Sequence, residues 1–492
     1  LGGLGVYGML VARSALQHAG AARADLQRVM DGAERARSGG IDRQTVIGLR
    51  DDLAAAERNL AGLQGDLDAL GPAVWLAGRM PGIGPRVRAD AELVRAAVRF
   101  ARAGRQVADV AVTVYGGLEQ GGGQDRGRVV AALAAGGPSV VAARDDYRAG
   151  LVHLAAVDRA QIEPELRPTL AMLDRQLPQL NALVEGAADL VPVLPSLLGQ
   201  EREVTYLLLM QDPGELRPTG GFIGNYGLVK VRNGAVVSTV FQDVYLVDLP
   251  YLAAKRPLPH PFDRYFPQAT AWGLRDSNAW PDFPTSARAA IDLAVAEGIA
   301  PQIDGVIAIT PETVSRLLNV VGPVQVPEYN ATVDAGNVDS QIRYYQYDEA
   351  PNDPQQFVGR DVPYNVARKR FTALLALEVA ARLQALPAER FPALAKESKA
   401  LLERRAVQVY LADATAQQTL VALGLDGGLH VGEGDFLWPV ETNIGANKAD
   451  LYVARNLTYA VQLAADGSAG ATLQLGYEFT PTGKLYNDFG YD

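Results

Sequence analysis

The segment that decides the fold is residues 205–231, TYLLLMQDPGELRPTGGFIGNYGLVKV. Its first six residues, 205–210, form a short apolar run of the kind found in strands that are buried on both faces. Residues 222–231 read as a second strand, and the Asn233-Gly234 dipeptide after it favours a hairpin turn. We therefore expect residues 235–243 to pair back against the second strand.

Helices and strands alternate after this hairpin. In order, the pattern predicts a helix at 285–297, a strand at 303–309, a helix at 311–320, the beginning of another extended piece at 324–326, helices at 361–386 and 391–405, and a strand at 407–411. Alternation of this kind predicts a central α/β domain with a mixed sheet over residues 201–448.

The last residues, 449–492, contain two segments of alternating apolar and polar residues, 452–463 and 471–479, joined by Asp466-Gly467. This pattern predicts a β-hairpin and the start of a C-terminal antiparallel β domain. An isolated hairpin is marginally stable in water. We therefore expect either that further chain completes this domain or that the two strands join the central sheet.

Residues 13–200 read as an N-terminal all-α bundle or stalk, so the chain is predicted to be multidomain. Apolar residues recur there at alternating spacings of four and three, a heptad seam that we expect to pack on another helix of the same chain: Leu49, Leu53, Ala56, Leu60, Leu63, Leu67 and Leu70. Gly71-Pro72 should end that helix. More helices are expected at 89–114, 128–154 and 161–190, and the glycine-rich stretch 116–127 should be a loop.

The first twelve residues are almost all apolar and carry no charge before Arg13. Twelve residues cannot cross a bilayer, which takes about 20, and they lack the basic start of a signal peptide. We interpret residues 1–12 as the outer end of a transmembrane anchor. The alternative is an apolar helix start that packs in a core.

Composition excludes several classes of function. The chain has no cysteine, four histidines and a net charge of −10. Thiolate metal sites and cysteine nucleophiles are therefore excluded, and a histidine-rich metal site is disfavoured. A nucleic-acid partner is not expected, because no basic stripe is present.

Five blocks of sequence in the same order carry a family resemblance. They are LLLMQDPGELRPTGGFIGNYG at 207–227, LRDSNAWPDFPTSA at 274–287, IDGVIAI at 303–309, VQVYLAD at 407–413 and GANKAD at 445–450. With these blocks the chain resembles a bacterial family of domains of unknown function, number 4012. The resemblance implies one N-terminal transmembrane helix, a helical segment and this domain outside the cell, and it implies no established activity.

The order of elements also resembles the LytR-CpsA-Psr envelope phosphotransferases. The shared elements would be the strand at Asp304, the Gly322-Pro-Val segment and an arginine-bearing helix at Arg368-Lys-Arg370. The Pro-Arg-Asp motif of those enzymes is absent, and Asp243-Val-Tyr stands near its place. This resemblance implies a transferase that acts on a lipid pyrophosphate with a divalent cation.

The loop between the first two strands supplies one set of substrate-binding candidates, Glu215, Arg217, Gly220 and Gly221. Gly220 and Gly221 would let a ligand approach the backbone closely, and Arg217 offers a planar fork for phosphate or carboxylate. The alternative is that Glu215 and Arg217 lock the loop by pairing with neighbours. Asp212, at the end of the first strand, is a catalytic candidate.

A second set lies downstream. Arg275 and Asn278 are substrate-binding candidates, and Asp276 and Asp243 are candidates for catalysis or for holding Mg²⁺, which takes one or two carboxylates together with phosphate oxygens. The alternatives are an ion pair between Arg275 and Asp276, and an N-cap role for Asp282 or Thr285.

Arg368 and Arg370 form a third set. Their charges near a helix start oppose the helix dipole, which an anionic ligand would relieve. The alternative is a solvated face balanced by Asp361.

Two functions follow from the sequence. The leading hypothesis is a membrane-anchored, extracytoplasmic envelope protein with a structural or interaction role, no cofactor, and other envelope proteins or a second copy as partners. The other hypothesis is the envelope phosphotransferase, with Mg²⁺. We expect the arginines to surround one cleft in the enzyme, and to be scattered and individually paired in the structural protein.

Overall fold

The computed structural model describes residues 2–39, 42–80, 84–120, 126–164, 166–251, 256–265, 271–348, 367, 369–387, 390–445 and 447–480. The chain divides into two compact units. The helical unit comprises residues 1–204, 231–235 and 387–392, and the α/β unit comprises residues 205–230, 236–386 and 393–492. The predicted fold class is confirmed: an N-terminal helical region, a central α/β region with a mixed sheet, and C-terminal antiparallel strands.

The helical unit is built from long helices. They are α1 (Gly2–Gly39), α2 (Arg43–Ala69), α3 (Gly71–Ala77), α4 (Gly84–Gln120), α5 (Arg126–Ala155), α6 (Arg167–Leu190) and α7 (Leu194–Leu197), with a 3₁₀ turn at Arg159–Gln161. The Asp42 carboxylate caps α2 by accepting a hydrogen bond from the Thr45 amide at 2.7 Å. Across the described part of the chain, no helix contains an apolar stretch long enough to cross a membrane.

The predicted seam packs within the chain. Ala56 and Leu60 of α2 are buried in one cluster with Ala22 of α1 and with Val98 and Ala101 of α4. The alanines bring the three helix backbones close together, so that Leu60 fills the remaining space. The prediction of an intrachain seam is therefore confirmed.

The predicted loop at 116–127 is wrong at both ends. Helix α4 continues through Gln120 and α5 begins at Arg126, so Gly116 and Gly117 are helical. The physical reason is close helix packing: a Cβ on Gly117 would lie 3.3 Å from the backbone nitrogen of Val129 on α5. Residues 121–125 lie outside the described residues.

The α/β unit is organised around a five-stranded sheet of order β3-β2-β1-β4-β7. Its strands are β1 (Val204–Asp212), β2 (Phe222–Arg232), β3 (Ala235–Asp243), β4 (Gly305–Ile309) and β7 (Val407–Leu411). β1 pairs with β4 in parallel, from Tyr206 opposite Gly305 to Met210 opposite Ile309, and β7 pairs with β4 antiparallel. Asn233 and Gly234 both have positive φ, which fits the predicted hairpin turn between β2 and β3.

One helix covers the core face of this sheet. Helix α10 (Phe283–Ala296) buries Phe283, Ala287, Ala290 and Ala294 against β1, β2 and β4. Its small residues lie at helical spacing and allow the helix to approach the sheet. The Asp282 side chain caps the helix by accepting from the Thr285 amide at 3.0 Å, which was one of the predicted alternatives.

Besides the sheet and α10, the unit contains further described helices, turns and two short strands, and those within residues 311–384 form a second core. They are α8 (Tyr245–Tyr251), α9 (Phe262–Tyr265), a 3₁₀ turn at Leu274–Asp276, α11 (Pro311–Val321), β5 (Val324–Val326), a 3₁₀ turn at Pro327–Tyr329, β6 (Ala331–Val333), α12 (Val338–Arg343), a π-helical turn at Tyr344–Asp348, α13 (Arg370–Gln384), α14 (Phe391–Glu403), α15 (Ala414–Ala422) and a 3₁₀ turn at Ala449–Tyr452. Phe371 and Leu375 of α13 are buried there against Val326 and Val333. The helix predicted at 361–386 begins at Arg370 as far as the described residues show, and residues 361–366 lie outside them.

The C-terminal hairpin pairs β8 (Val453–Leu463) with β9 (Ala469–Phe479) as a separate two-stranded sheet. The expectation that these strands join the central sheet is therefore wrong. One face of the hairpin is apolar and exposed, with Leu457 opposite Leu475 and Tyr459 opposite Leu473.

The seam gives a test of the helical unit. We expect Leu60→Asp to lower the free energy of unfolding of the helical unit by about 2–5 kcal/mol, because it replaces a buried leucine with a smaller side chain. The burial of the new carboxylate adds to this loss. Leu60 is 4% exposed, whereas Leu183 on α6 is 67% exposed. Leu183→Asp is thus a matched control that should change stability by less than about 0.5 kcal/mol. Equal melting curves for the two variants, followed by circular dichroism, would contradict the seam.

Candidate functional site

Seven charged side chains of alternating sign run through the α/β unit. We call them the charge chain, and their order is Asp248, Arg275, Asp276, Arg217, Glu215, Lys448 and Asp212. The successive nitrogen-to-oxygen distances are 3.6, 3.2, 3.6, 2.8, 3.2 and 3.0 Å. Each interior member therefore faces two charges of the opposite sign.

The charge chain joins four separate stretches of the sequence. Asp212 ends β1, Glu215 and Arg217 lie in the loop after it, and Asp248 is on α8. Arg275 and Asp276 form part of the 3₁₀ turn before α10, and Lys448 lies just before β8. Because a buried charge is stable only with a partner, these segments hold one another in place.

Arg217 is the centre of this arrangement. Its side chain is 1% exposed. Besides its two carboxylate partners, its Nη1 donates to the carbonyl oxygens of Leu216 at 3.1 Å and Asn443 at 3.0 Å. The guanidinium therefore pairs with neighbouring groups of its own domain. This is the arrangement expected if Arg217 locks its loop and does not bind a ligand.

The two predicted glycines serve the same loop. A Cβ on Gly221 would lie 2.3 Å from the carbonyl group of Asp212, so only glycine fits beside the end of β1. Asn278 donates from Nδ2 to the Gly221 carbonyl oxygen at 2.8 Å. Gly220 has a φ of +133°, a region that favours glycine. At Gly221 it is therefore the backbone of Asp212, and not a ligand, that lies close to the glycine.

A pair of carboxyl groups lies at the Asp248 end of the charge chain. Glu297 accepts a hydrogen bond from the Leu274 amide at 2.9 Å, and Asp248 accepts one from the Arg275 amide at 3.3 Å. Burial, and then the charge of Asp248, raises the pKa of Glu297 to about 8. Burial raises the pKa of Asp248 to about 6. Because the pKa of Glu297 is about 8, the pair of carboxyl groups retains a proton near neutral pH.

A second buried ion pair joins Lys369 to Asp243. Lys369 Nζ lies 3.1 Å from Asp243 Oδ1, and it also donates to the carbonyl oxygen of Gly224 at 3.0 Å. The Tyr245 ring centre is 4.5 Å from the same nitrogen, close enough for a cation–π contact. This pair fixes Lys369, just before α13, against β2 and β3.

A cavity of about 880 Å³ lies next to both ion-paired groups. It is located at the carboxyl ends of the parallel strands β1 and β4, with Met210, Asp212 and Ile309 in its wall. Asp212 and Glu215 are the two predicted site residues that line it, together with Lys369 and Lys448. Among the described lining residues we do not find Arg217, Gly220, Gly221, Arg275, Asn278, Asp243, Asp276 or Arg370.

Of the third set of candidates, the described residues include only Arg370. Arg370 is exposed at the start of α13. Arg368 and Asp361 lie outside the described residues.

The predicted magnesium ligands are already engaged with cations. Asp276 contacts both Arg217 and Arg275, and Asp243 contacts Lys369. Within the described ranges, no group of three or more acidic or histidine side chains is arranged to hold a metal ion. A divalent ion at either aspartate would have to compete with a guanidinium or an ammonium group.

Sequence reasoning missed three members of these networks: Asp248, Lys369 and Lys448. The chain has only seven lysines among 46 basic residues. A rare lysine such as Lys448, inside a block that carries the family resemblance, was a usable signal for a buried amine. Asp248 had no comparable signal.

These observations define a mixed-sheet α/β module that is held by buried ion pairs and has a cavity at its strand ends. Residues 201–347 match the family model described as "Protein of unknown function (DUF4012)", so the predicted resemblance is confirmed for this segment. The matched range includes Asp212 to Asp276 of the charge chain but neither Lys369 nor Lys448. No curated protein matches the chain.

The carboxyl pair predicts how stability depends on pH. The folded-state pKa of Glu297 lies above its usual value of 4.5, so its proton stabilises the fold. That contribution is complete below about pH 4.5 and is lost as the pH rises through about 8. We expect the melting temperature of the α/β unit to fall between pH 5 and 9, by about 2–4 °C for each kcal/mol lost.

Glu297→Gln mimics the protonated carboxyl group and should flatten this pH dependence. Glu328→Gln, at an exposed glutamate of the same unit, is the matched control and should keep the wild-type profile. Thermal melting at several pH values measures both. A wild-type slope in Glu297→Gln would show that Glu297 does not hold the proton.

Proposed function

We propose that this chain is an extracytoplasmic protein of the bacterial envelope, anchored in the membrane at its N-terminus, with a structural or interaction role. The observation that carries the proposal is the use of Arg217 and Arg275 inside the charge chain. Both guanidinium groups are bound by carboxylates of their own domain. The charges that a transferase would need for its substrate thus support the fold of the domain.

The anchor part of the proposal rests on the first residues. Residues 1–12 carry no charge and continue directly into the remainder of α1. The family resemblance implies the same arrangement, a single membrane helix followed by a helical segment and an external domain. The single-pass topology and the envelope location are proposals on this basis.

An interaction role is supported by the exposed apolar face of β8 and β9. Leu457, Tyr459, Leu473 and Leu475 contribute to it, and exposed apolar patches are typical of contact surfaces. Its one nearby cation, Arg455, is neutralised by Glu441 and Asp450. Because the described part of this face is apolar apart from the ion-paired Arg455, it suits a partner with a matching apolar face, and we propose a second copy of the chain as that partner.

The phosphotransferase is the second candidate, and the cavity beside Asp212 and Glu215 is the observation in its favour. Under that hypothesis a lipid pyrophosphate with Mg²⁺ would occupy the cavity. The substrate charges would have to be met by arginines that are now paired with carboxylates.

Arg217→Ala distinguishes the two candidates. Removing the guanidinium leaves Glu215 and Asp276 buried without it, so we expect the α/β unit to lose about 3–5 kcal/mol of stability. Arg382→Ala, at an exposed arginine of α13, is the control and should melt like the wild type. We expect Mg²⁺ to leave any binding of farnesyl pyrophosphate to the wild type unchanged in calorimetry, because the arginines that a transferase would use are paired with carboxylates. Binding that Arg217→Ala abolishes without a change in melting would favour the transferase.

The anchor has its own test. We expect the full chain to stay in the membrane fraction after a carbonate wash and to be released by detergent. A chain that begins at Arg23 should remain in the soluble fraction. Protease added to intact spheroplasts should digest the α/β unit of the full chain. A full chain that is soluble without detergent would refute the anchor, and protection from the protease would refute the external location.

A further inference from the structure

The cavity lies where α/β folds usually bind small molecules. Ligands in open α/β sheets bind beside the carboxyl ends of the parallel strands, and here β1 and β4 end at the cavity wall. Its volume of about 880 Å³ is within the range of small-molecule sites. The same space is not filled by the charge chain, whose arginines do not line it.

One buried polar group in the wall lacks a protein partner. Asn225 of β2 lines the cavity and is 5% exposed. Its side-chain amide makes no hydrogen bond with any residue in the described ranges. The amide is therefore available to donate a hydrogen bond to a ligand, or to accept one, inside the cavity.

One cation in the wall lacks a carboxylate partner. Arg343, the last residue of α12, is half-buried and lines the cavity, and none of the described carboxylates lies within 4 Å of its guanidinium. The other lining cations are engaged: Lys369 with Asp243, Lys448 with Asp212 and Glu215, Arg404 with Glu312, and Arg405 with the carbonyls of Gly427 and Gly428. Arg343 can therefore accept an anionic group from a ligand.

The wall that carries Arg343 is held in position. Gln346, three residues further along the chain, donates from Nε2 to the Thr372 hydroxyl group. Thr372 lies one helical turn after Lys369, and both line the cavity. The turn that follows Arg343 is therefore already attached to α13, so a ligand would not have to order this part of the wall.

The rest of the wall suits the apolar part of a ligand. Met210, Phe222, Ile309, Leu375 and Leu451 all line the cavity. A purely polar ion would leave these side chains facing water, whereas a ligand with an apolar body would bury them at roughly 25 cal/mol per Å².

We propose that this cavity binds a small organic anion with an apolar body, whose carboxylate or phosphate group is recognised by Arg343 and Asn225. The proposal goes beyond the envelope role, and it does not depend on the anchor or on catalysis. It assigns the ligand to residues of the wall that the fold leaves available, and not to the arginines of the charge chain.

Four probes test the ligand class with the full chain in calorimetry. Octanoate and octyl phosphate share an apolar body and differ in the acid group, octyl glucoside carries no charge, and inorganic phosphate has no apolar body. We expect at least one of the two octyl anions to bind more tightly than octyl glucoside and inorganic phosphate. The stronger of them tells whether the site takes a carboxylate or a phosphate.

Variants then test the residues. Arg343→Met should weaken the preferred octyl anion by about 10–100-fold, the loss of one charge-assisted contact, and Asn225→Ala by about 3–10-fold. Arg370→Met removes a nearby exposed arginine outside the cavity and should leave the affinity within twofold. Arg343→Lys keeps the positive charge, so its affinity for the octyl anion should lie between those of the wild type and Arg343→Met. This variant keeps the test valid if Arg343→Met folds poorly.

Three results would overturn the proposal. The first is no binding of either octyl anion, and the second is equal binding of octyl glucoside. The third is an affinity in Arg343→Met and Arg343→Lys that equals that of Arg370→Met. Melting curves without ligand show that each variant retains the fold.

Discussion

The α/β unit depends on the placement of one buried guanidinium group. Arg217 lies between Glu215 and Asp276, almost fully removed from water. A charge that is buried in this way is stable only if oppositely charged partners lie close to it. Each of those partners in turn needs a further charge of the opposite sign beside it. Lys448 supplies the compensation on one side and Arg275 on the other. The alternation of signs is therefore a requirement of burial, and it determines which segments of the chain must meet.

For function, the structure distinguishes charged side chains that support the fold from polar side chains that can still bind a ligand. The charge chain and the Lys369–Asp243 pair hold the loop after β1, the turn before α10 and the segment before β8 around the sheet. The cavity beside them keeps Asn225 and Arg343, which have no such assignment among the described residues. Arg217 and Arg275 are buried and paired with carboxylates, so they do not bind the ligand. The neighbouring cavity, with Arg343 in its wall, is the better candidate for a binding site.

The helical unit obeys a simpler rule. Its helices approach one another closely at alanine and glycine, as at Ala56 and Gly117, and ion pairs between helices, such as Arg105 with Glu57, add to this packing. Helix α4 extends to Gln120 for this reason, although glycine usually weakens a helix interior by about 1 kcal/mol. The tertiary contact between α4 and α5 thus overrides the local preference of the sequence.

The sequence by itself determined the type and order of the regular elements. Apolar periodicity is a local property, so β3 and β7 were predicted with their observed bounds, and the heptad seam of α2 was predicted to pack within the chain. A loop locked by Glu215 and Arg217 was one of the two alternatives that the sequence left open, and the structure shows the two side chains paired with each other. Only the tertiary structure decided that Lys448, 233 residues from Glu215, completes the charge chain, and that Asp248 shares a proton with Glu297. Partners of this kind are chosen by where the folded backbone brings charges out of water, and no spacing along the chain encodes that proximity.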